Sequence, residues 1–206
     1  MSPARRESFA RSGRAPAAGF DFTRHVRLLC EDMTARVEAL RHIDMSRVAV
    51  SFTQTRSTAR FGMYAALTPL RFAGGKPETT RRGRRFSMQR VHSTDGHEML
   101  YILSLYLPRF LDLPFREKLT TVVHELWHIS PHFNGDLRRF AGRCFAHGSS
   151  QKRYDAQVGR LVDCWLASGP PESLYRFLRY SFRELLARHG RVFGARIPAP
   201  KVIPLL

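Results

Sequence analysis

Apolar residues recur every three or four positions in four stretches of the chain, and this period predicts four amphipathic helices. The predicted helices cover residues 23–43, 115–129, 152–167 and 172–189. Asp112 and Pro114 mark the start of the second helix, and Pro131 marks its end, because proline cannot continue the hydrogen-bond ladder. The run Gly169-Pro170-Pro171 separates the last two helices.

Short apolar runs rich in β-branched and aromatic residues predict strands over 47–53, 60–72 and 98–108. The stretch 74–90 between the last two is polar, basic and glycine-containing, which indicates a loop or a sheet edge. Together these elements predict one α+β domain over residues 21–198, with a small mixed sheet packed on the helix of residues 115–129 and further helices C-terminal to it. We expect a disordered basic arm over 1–20 and a C-terminal tail over 199–206.

The composition excludes some classes of protein. The chain has 206 residues, and none of its apolar runs approaches the roughly 18 residues of a membrane-spanning helix. We therefore expect no membrane partner. The three cysteines, Cys30, Cys144 and Cys164, are an odd number without a repeating spacing. This pattern argues against a disulfide framework and predicts a reducing compartment, with a cytoplasmic location.

Charge is strongly unbalanced, with 34 basic against 17 acidic side chains and a formal net charge of +17. Because almost all the bases are arginine, the excess can reflect genome composition instead of a partner. Its distribution is nevertheless uneven, and Arg81, Arg82, Arg84 and Arg85 fall within five residues. These side chains could contact nucleic-acid phosphates without reading sequence; the alternative is a solvated, mobile loop.

The chemistry is concentrated in the run His124-Glu125-Leu126-Trp127-His128, which has the pattern H-E-x-x-H. It falls inside a predicted helix, where residues four apart share a face, so both imidazoles can point at one ion. The predicted apolar stripe of that helix faces the core instead. The neighbouring carboxylate is then placed to act on water. These features predict a Zn²⁺ site with a general base beside it.

A catalytic zinc takes three protein ligands and leaves its fourth position to water. His147 is our choice for the third ligand, because it lies 19 residues after His128 and Gly148 lets the backbone turn tightly there. A distant carboxylate such as Glu172 is an alternative, as is His132, although Pro131 breaks the helical register before it. The remaining alternative is that no third ligand exists.

The runs VVHELWHI at 122–129, GDLRRF at 135–140 and His147-Gly148 resemble the phage-type metallopeptidases, which are similar to the SprT-like zincins. The resemblance covers about residues 97–165. It implies a zincin-like fold in which His124, His128 and His147 bind zinc and Glu125 is the base. SprT-like proteins often carry a zinc ribbon of paired cysteines as well, but this chain has no C-x-x-C run.

We therefore expect a zinc-dependent metallopeptidase that acts on a protein or peptide substrate. Candidate donors to the oxyanion that develops during hydrolysis are Tyr154, Arg138, Arg139 and Arg143. For each of them a packed tyrosine or a surface arginine is the simpler interpretation. The alternative function is a nucleic-acid-associated zinc protein, either a DNA-linked protease or a structural metal-binding module.

Overall fold

A three-stranded sheet forms the middle of the protein in a computed structural model that describes residues 19–54, 62–140 and 150–205. Its strand order is β2–β6–β3, where β2 is Val48–Gln54, β6 is Tyr101–Leu107 and β3 is Ala65–Pro69. Strand β6 runs parallel to β2 and antiparallel to β3. It is apolar on both faces because both are covered: Leu103 and Leu105 join the main core, and Ile102 joins a smaller second cluster.

Helix α1, Phe22–Arg36, is shorter than the helix predicted over 23–43. It begins at Asp21, whose side chain accepts the N–H of Arg24. It ends because Val37 adopts extended backbone, with φ −92° and ψ 109°. The chain then continues in two short 3₁₀ turns, Glu38–Leu40 and Met45–Arg47, before entering β2.

Helices α2, Phe115–Trp127, and α3, Gln151–Ala167, pack against each other. Helix α2 also contacts β3, and α1 contacts β2, so the helices and the sheet share one main core. Both α2 and α3 agree with their predicted ranges to within two residues. The strands predicted over 47–53 and 98–108 are confirmed with similar shifts, whereas only 65–69 of the stretch 60–72 forms a described strand.

The prediction of one continuous helix over 172–189 is wrong. The chain forms a short α4, Glu172–Tyr175, then a 3₁₀ turn, Arg176–Arg179, and then α5, Phe182–His189. The buried Nζ of Lys118 on α2 donates to the carbonyl oxygens of Leu178 and Tyr180, both at 2.8 Å. These two carbonyls therefore accept hydrogen bonds from a side chain of another helix. Ser181 then starts α5 with a reciprocal capping box to Glu184.

Two further pairings involve the ends of the described chain. Strand β1, Phe20–Asp21, pairs in parallel with β7, Val192–Phe193. A second three-stranded sheet has the order β4–β5–β8, with β4 Glu78–Arg81, β5 Arg84–Met88 and β8 Val202–Pro204. The segment 199–206, expected to be a tail outside the domain, therefore contributes a strand. The expected arm over 1–20 lies almost wholly outside the described residues.

The described elements combine separate helices with mixed and antiparallel sheets, and the predicted α+β class is confirmed. None of the helices in the described ranges has the length and apolar character needed to cross a membrane.

Candidate metal centre on helix α2

The H-E-x-x-H motif lies at the C-terminal end of helix α2. The buried helix residues Leu119, Val122 and Val123 fix α2 to the main core, as the apolar stripe predicted. His128 follows the last helical residue, yet its backbone stays near-helical, with φ −70° and ψ −16°. His124 and His128 therefore keep the one-turn spacing that places both imidazoles on one side of the helix.

The two imidazoles converge through the same type of nitrogen. Nε2 of His124 and Nε2 of His128 are 3.1 Å apart, and the ring planes meet at 81°. Two imidazole nitrogens bound to one tetrahedral zinc would lie about 3.3 Å apart, given the usual zinc–nitrogen bond length. The donor set and its spacing thus fit two of the ligands of a zinc ion.

Tyr154 of helix α3 packs against both histidines. Its ring stacks on His128, with centroids 5.4 Å apart, and meets His124 edge-on at 5.0 Å. Its hydroxyl donates to the backbone oxygen of His124 at 3.3 Å and lies 3.3 Å from Nδ1 of His128. When the hydroxyl proton lies on the carbonyl, the hydroxyl oxygen can accept from Nδ1–H of His128. In that tautomer Nε2 is the ring nitrogen that carries the lone pair a metal would bind.

Glu125 lies between the motif helix and the sheet and is only 9% exposed. Burial raises the pKa of its carboxyl group to about 7, and a hydrogen bond from the backbone of Leu67 in β3 acts in the opposite direction. A carboxyl group whose pKa is near neutrality is suited to accept and release protons. The contact with Leu67 was not predicted, because a backbone N–H on another element leaves no mark in the sequence.

The segment after the motif closes the end of α2. The backbone N–H of Arg138 donates to the carbonyl of His128 at 2.7 Å, and its Nε donates to the carbonyl of Trp127 at 2.8 Å. Its guanidinium carbon lies 3.7 Å from the centre of the Trp127 ring. Carbonyls at a helix end have no partner within the helix, so these bonds fix the backbone that carries His128.

Asp136 fastens the same segment to the start of β6 and to the turn before β4. Its carboxylate accepts the N–H of Gly74 at 2.8 Å and both Nε and Nη2 of Arg139 at 2.9 Å. Its backbone oxygen accepts the hydroxyl of Tyr101 at 2.8 Å. Sequence reasoning missed this role, although an aspartate after Asn134-Gly135 is a recognisable turn signal.

His147, the residue predicted to be the third ligand, lies outside the described residues, as do Arg143 and Cys144. Within the described ranges, no third histidine, cysteine or carboxylate forms a metal-binding group with the histidine pair. Of the two alternatives, His132 is exposed and Glu172 pairs with Arg179 on the surface at 3.3 Å. The structure therefore brings neither of these residues to the pair, and His147 stays a prediction.

The candidate donors to the oxyanion lie in different environments. Tyr154 is only 4% exposed and is packed against the histidine pair, while Arg138 is stacked on Trp127. Arg139 is engaged by Asp136. Tyr154, Arg138 and Arg139 therefore agree with the simpler interpretation, in which the tyrosine is packed and the arginines make structural contacts.

Comparison of the chain with protein-family models, curated proteins and solved structures finds no match.

Proposed function

We propose that the protein is a zinc-dependent peptidase with a zincin-like fold, similar to the phage-type and SprT-like metallopeptidases. The observation that carries this proposal is the convergence of the His124 and His128 Nε2 atoms, 3.1 Å apart, next to the buried carboxyl group of Glu125. Both histidines would hold the metal, with His147 as third ligand. When bound, zinc would supply a Lewis acid that polarises a carbonyl oxygen and acidifies water.

Glu125 would act as the general base. Its carboxylate takes a proton from the attacking water and returns it to the leaving nitrogen of the peptide. Burial against β3 supports this role, since a group whose pKa is near neutrality can serve in both directions. Leu67 would hold the carboxylate in place through its backbone N–H, because Leu67 belongs to a strand that is itself fixed to β6.

Strand β3 supports a peptide as the substrate. Among the described strands it is paired only with β6, and it also contacts helix α2. An extended peptide can pair with a strand edge through its own backbone groups. The backbone N–H of Leu67 in β3 is engaged by Glu125, so a peptide that pairs with neighbouring residues of this strand would lie near the proposed base.

The test combines metal analysis with a cleavage assay on an unfolded protein substrate. We expect about one zinc per chain in wild type, and its loss in His124→Ala and His147→Ala. Glu125→Gln should retain zinc and the fold but lose hydrolysis, because an amide cannot take the proton. Cleavage at the wild-type rate by Glu125→Gln would refute the mechanism, and full zinc occupancy in His147→Ala would refute the third ligand.

Two proposed features go beyond the metal centre. The compartment would be reducing and cytoplasmic, which suits a chain whose Cys30 and Cys164 are free thiols. The partners would be a protein or peptide substrate and, by a separate surface, nucleic acid. The second candidate function, a nucleic-acid-associated zinc protein, is favoured by the hairpin of β4 and β5, which carries the arginines of residues 81–85.

A further inference from the structure

The arginine-rich segment is a β-hairpin, not a loop. Strands β4 and β5 pair through Arg81 and Arg84, and only Arg82 and Gly83 lie between them. Both turn residues have positive φ, 50° for Arg82 and 74° for Gly83, as two-residue hairpin turns require. Glycine takes this backbone freely, but an arginine does so only at a conformational cost. The sequence thus places a charged residue where a small one would be favoured.

Charge at the hairpin tip is concentrated and largely uncompensated. Arg81 and Arg84 lie directly opposite each other, and like charges in that position destabilise a strand pair. Arg85 is neutralised by an ion pair with Glu78. In the described part of the chain, no carboxylate lies within 4.0 Å of a nitrogen of Arg81, Arg82 or Arg84. The tip therefore presents three exposed guanidinium groups that the surrounding fold does not balance.

We propose that this hairpin tip, Arg81, Arg82 and Arg84, is a binding surface for the phosphate backbone of nucleic acid. It deepens the nucleic-acid association proposed above and does not depend on the metal centre. A bound polyanion would offset the repulsion between the opposed arginines. The planar guanidinium group can pair with phosphate oxygens through two parallel hydrogen bonds, so the arginines at all three positions suit this ligand.

The distribution of apolar residues favours nucleic acid over an anionic membrane. Interfacial membrane binding uses apolar side chains that enter the acyl boundary, and the tip residues 81–85 include none. The exposed apolar residues of this sheet, Val202 and Ile203, lie in β8. They pair with Met88 and Ser87, which are the end of β5 away from the turn.

The base of the hairpin is fastened to the segment that follows helix α2. The chain enters β4 through the bridge between Phe72 and Lys76, within which the N–H of Gly74 donates to Asp136. Asp136 comes eight residues after His128. At the other end, Met88 packs on the second apolar cluster. These contacts anchor the base of the hairpin to the segment that follows helix α2 and to the second apolar cluster.

The test compares two triple variants of the full chain that have the same net charge. The tip variant is Arg81→Ala/Arg82→Ala/Arg84→Ala. The control variant removes three exposed arginines whose charge is balanced by a nearby carboxylate, namely Arg27, Arg41 and Arg116. Affinity for a short fluorescent DNA duplex is measured by anisotropy across a salt series. Zinc content is determined for both variants, so failure at the hairpin is distinguishable from loss of the metal centre.

We expect the tip variant to bind more weakly to every DNA sequence and to depend less on salt. Loss of three phosphate contacts lowers the slope of log affinity against log salt by about 2.7, so wild type should lose about 40-fold more affinity than the tip variant between about 50 and 200 mM salt. The control variant should keep a slope close to that of wild type, and both should keep their zinc.

Three results would overturn the proposal. The first is equal weakening in the two variants, which would mean that net charge alone drives binding. The second is no binding of wild type to DNA at about 50 mM salt. The third is that the tip variant still binds DNA like wild type but no longer sediments with phosphatidylcholine vesicles containing phosphatidylserine, which would make the tip a membrane surface.

Discussion

Removal of a single oxygen atom, by Tyr154→Phe, should weaken zinc binding without removing any ligand. The substitution keeps the ring that stacks on His128 and meets His124 edge-on. It deletes the hydroxyl that lies between Nδ1 of His128 and the backbone oxygen of His124. His128 then loses the hydroxyl as an acceptor for Nδ1–H, so the neutral tautomer that carries its lone pair on Nε2 becomes a smaller share of the population.

The structure places the expected loss at the lower end of the range for such outer contacts, which is about 10- to 100-fold in metal affinity. Both hydroxyl contacts are 3.3 Å long, whereas strong hydrogen bonds to nitrogen or oxygen are about 2.7–3.0 Å. We therefore expect about a tenfold weaker zinc affinity, or about 1.4 kcal/mol. Tyr154 is only 4% exposed, so water cannot readily replace the lost group.

The assay is zinc competition against a chromophoric chelator at neutral pH, performed on the folded full-length protein. Tyr175→Phe is the control, because it removes the hydroxyl of a half-buried tyrosine that packs against Trp165 and Phe115 instead of against the histidine pair. Unfolding of the metal-free proteins is measured in parallel. A purely structural role of the Tyr154 hydroxyl would lower the stability of the metal-free protein and leave zinc affinity in the folded state unchanged.

That outcome, or equal zinc affinity in Tyr154→Phe and wild type, would refute the assigned tautomer. A loss of the same size in Tyr175→Phe would show that the assay reports general loosening of the helices.

Three further changes test the framework around the site. Lys118→Met should destabilise the protein by about 2–4 kcal/mol in urea unfolding, because the carbonyls of Leu178 and Tyr180 both lose a donor. Burial raises the pKa of Asp136, but Arg139 and backbone donors outweigh it and hold that pKa below the ordinary 3.8. The stability that Asp136 contributes is therefore complete above about pH 4 and is lost as the pH falls through the lower folded value, so Asp136→Asn should lose stability at neutral pH and show a shallower decline in acid. Ser181→Ala should cost about 1 kcal/mol through loss of the α5 cap, measured by urea unfolding against wild type.

Elements whose buried face is long and regular could be predicted from the sequence. Strand β6 and helices α2 and α3 belong to this group, and their observed bounds differ from the predicted ones by at most three residues. Each depends on contacts that its own residues specify, namely a continuous apolar run or a stripe of helical period. Their ends were less predictable, because a helix can stop wherever one residue takes extended backbone, as Val37 does after α1.

The last predicted helix failed because a distant residue decides where it breaks. Its apolar period continues across the break, and hence period alone indicates one helix. Lys118 engages the carbonyls of Leu178 and Tyr180 from another helix, and no local pattern reveals this. The sequence does hold one relevant signal, since Ser181 followed three residues later by Glu184 is the pattern of a capping box.

The hairpin of β4 and β5 was left between a loop and a sheet edge for a similar reason. Two-residue hairpin turns are normally recognised by Asn-Gly or Asp-Gly, and here the turn is Arg82-Gly83. The strand partner β8 comes from the segment expected to be a tail, more than 100 residues later in the chain. The pairing of β5 with that strand is non-local, and composition alone could not indicate it.

The candidate metal centre could likewise be predicted only in part. The convergence of His124 and His128 is a property of one helical turn, so the motif alone was enough to predict it. Tyr154 belongs to a buried stripe on α3, and its spacing within that stripe is equally compatible with a purely structural role. Only the packing of α3 against α2 determines which member of the stripe faces the histidines. Local spacing therefore predicts where a metal can bind, whereas the tautomer that prepares the site for it depends on how two helices meet.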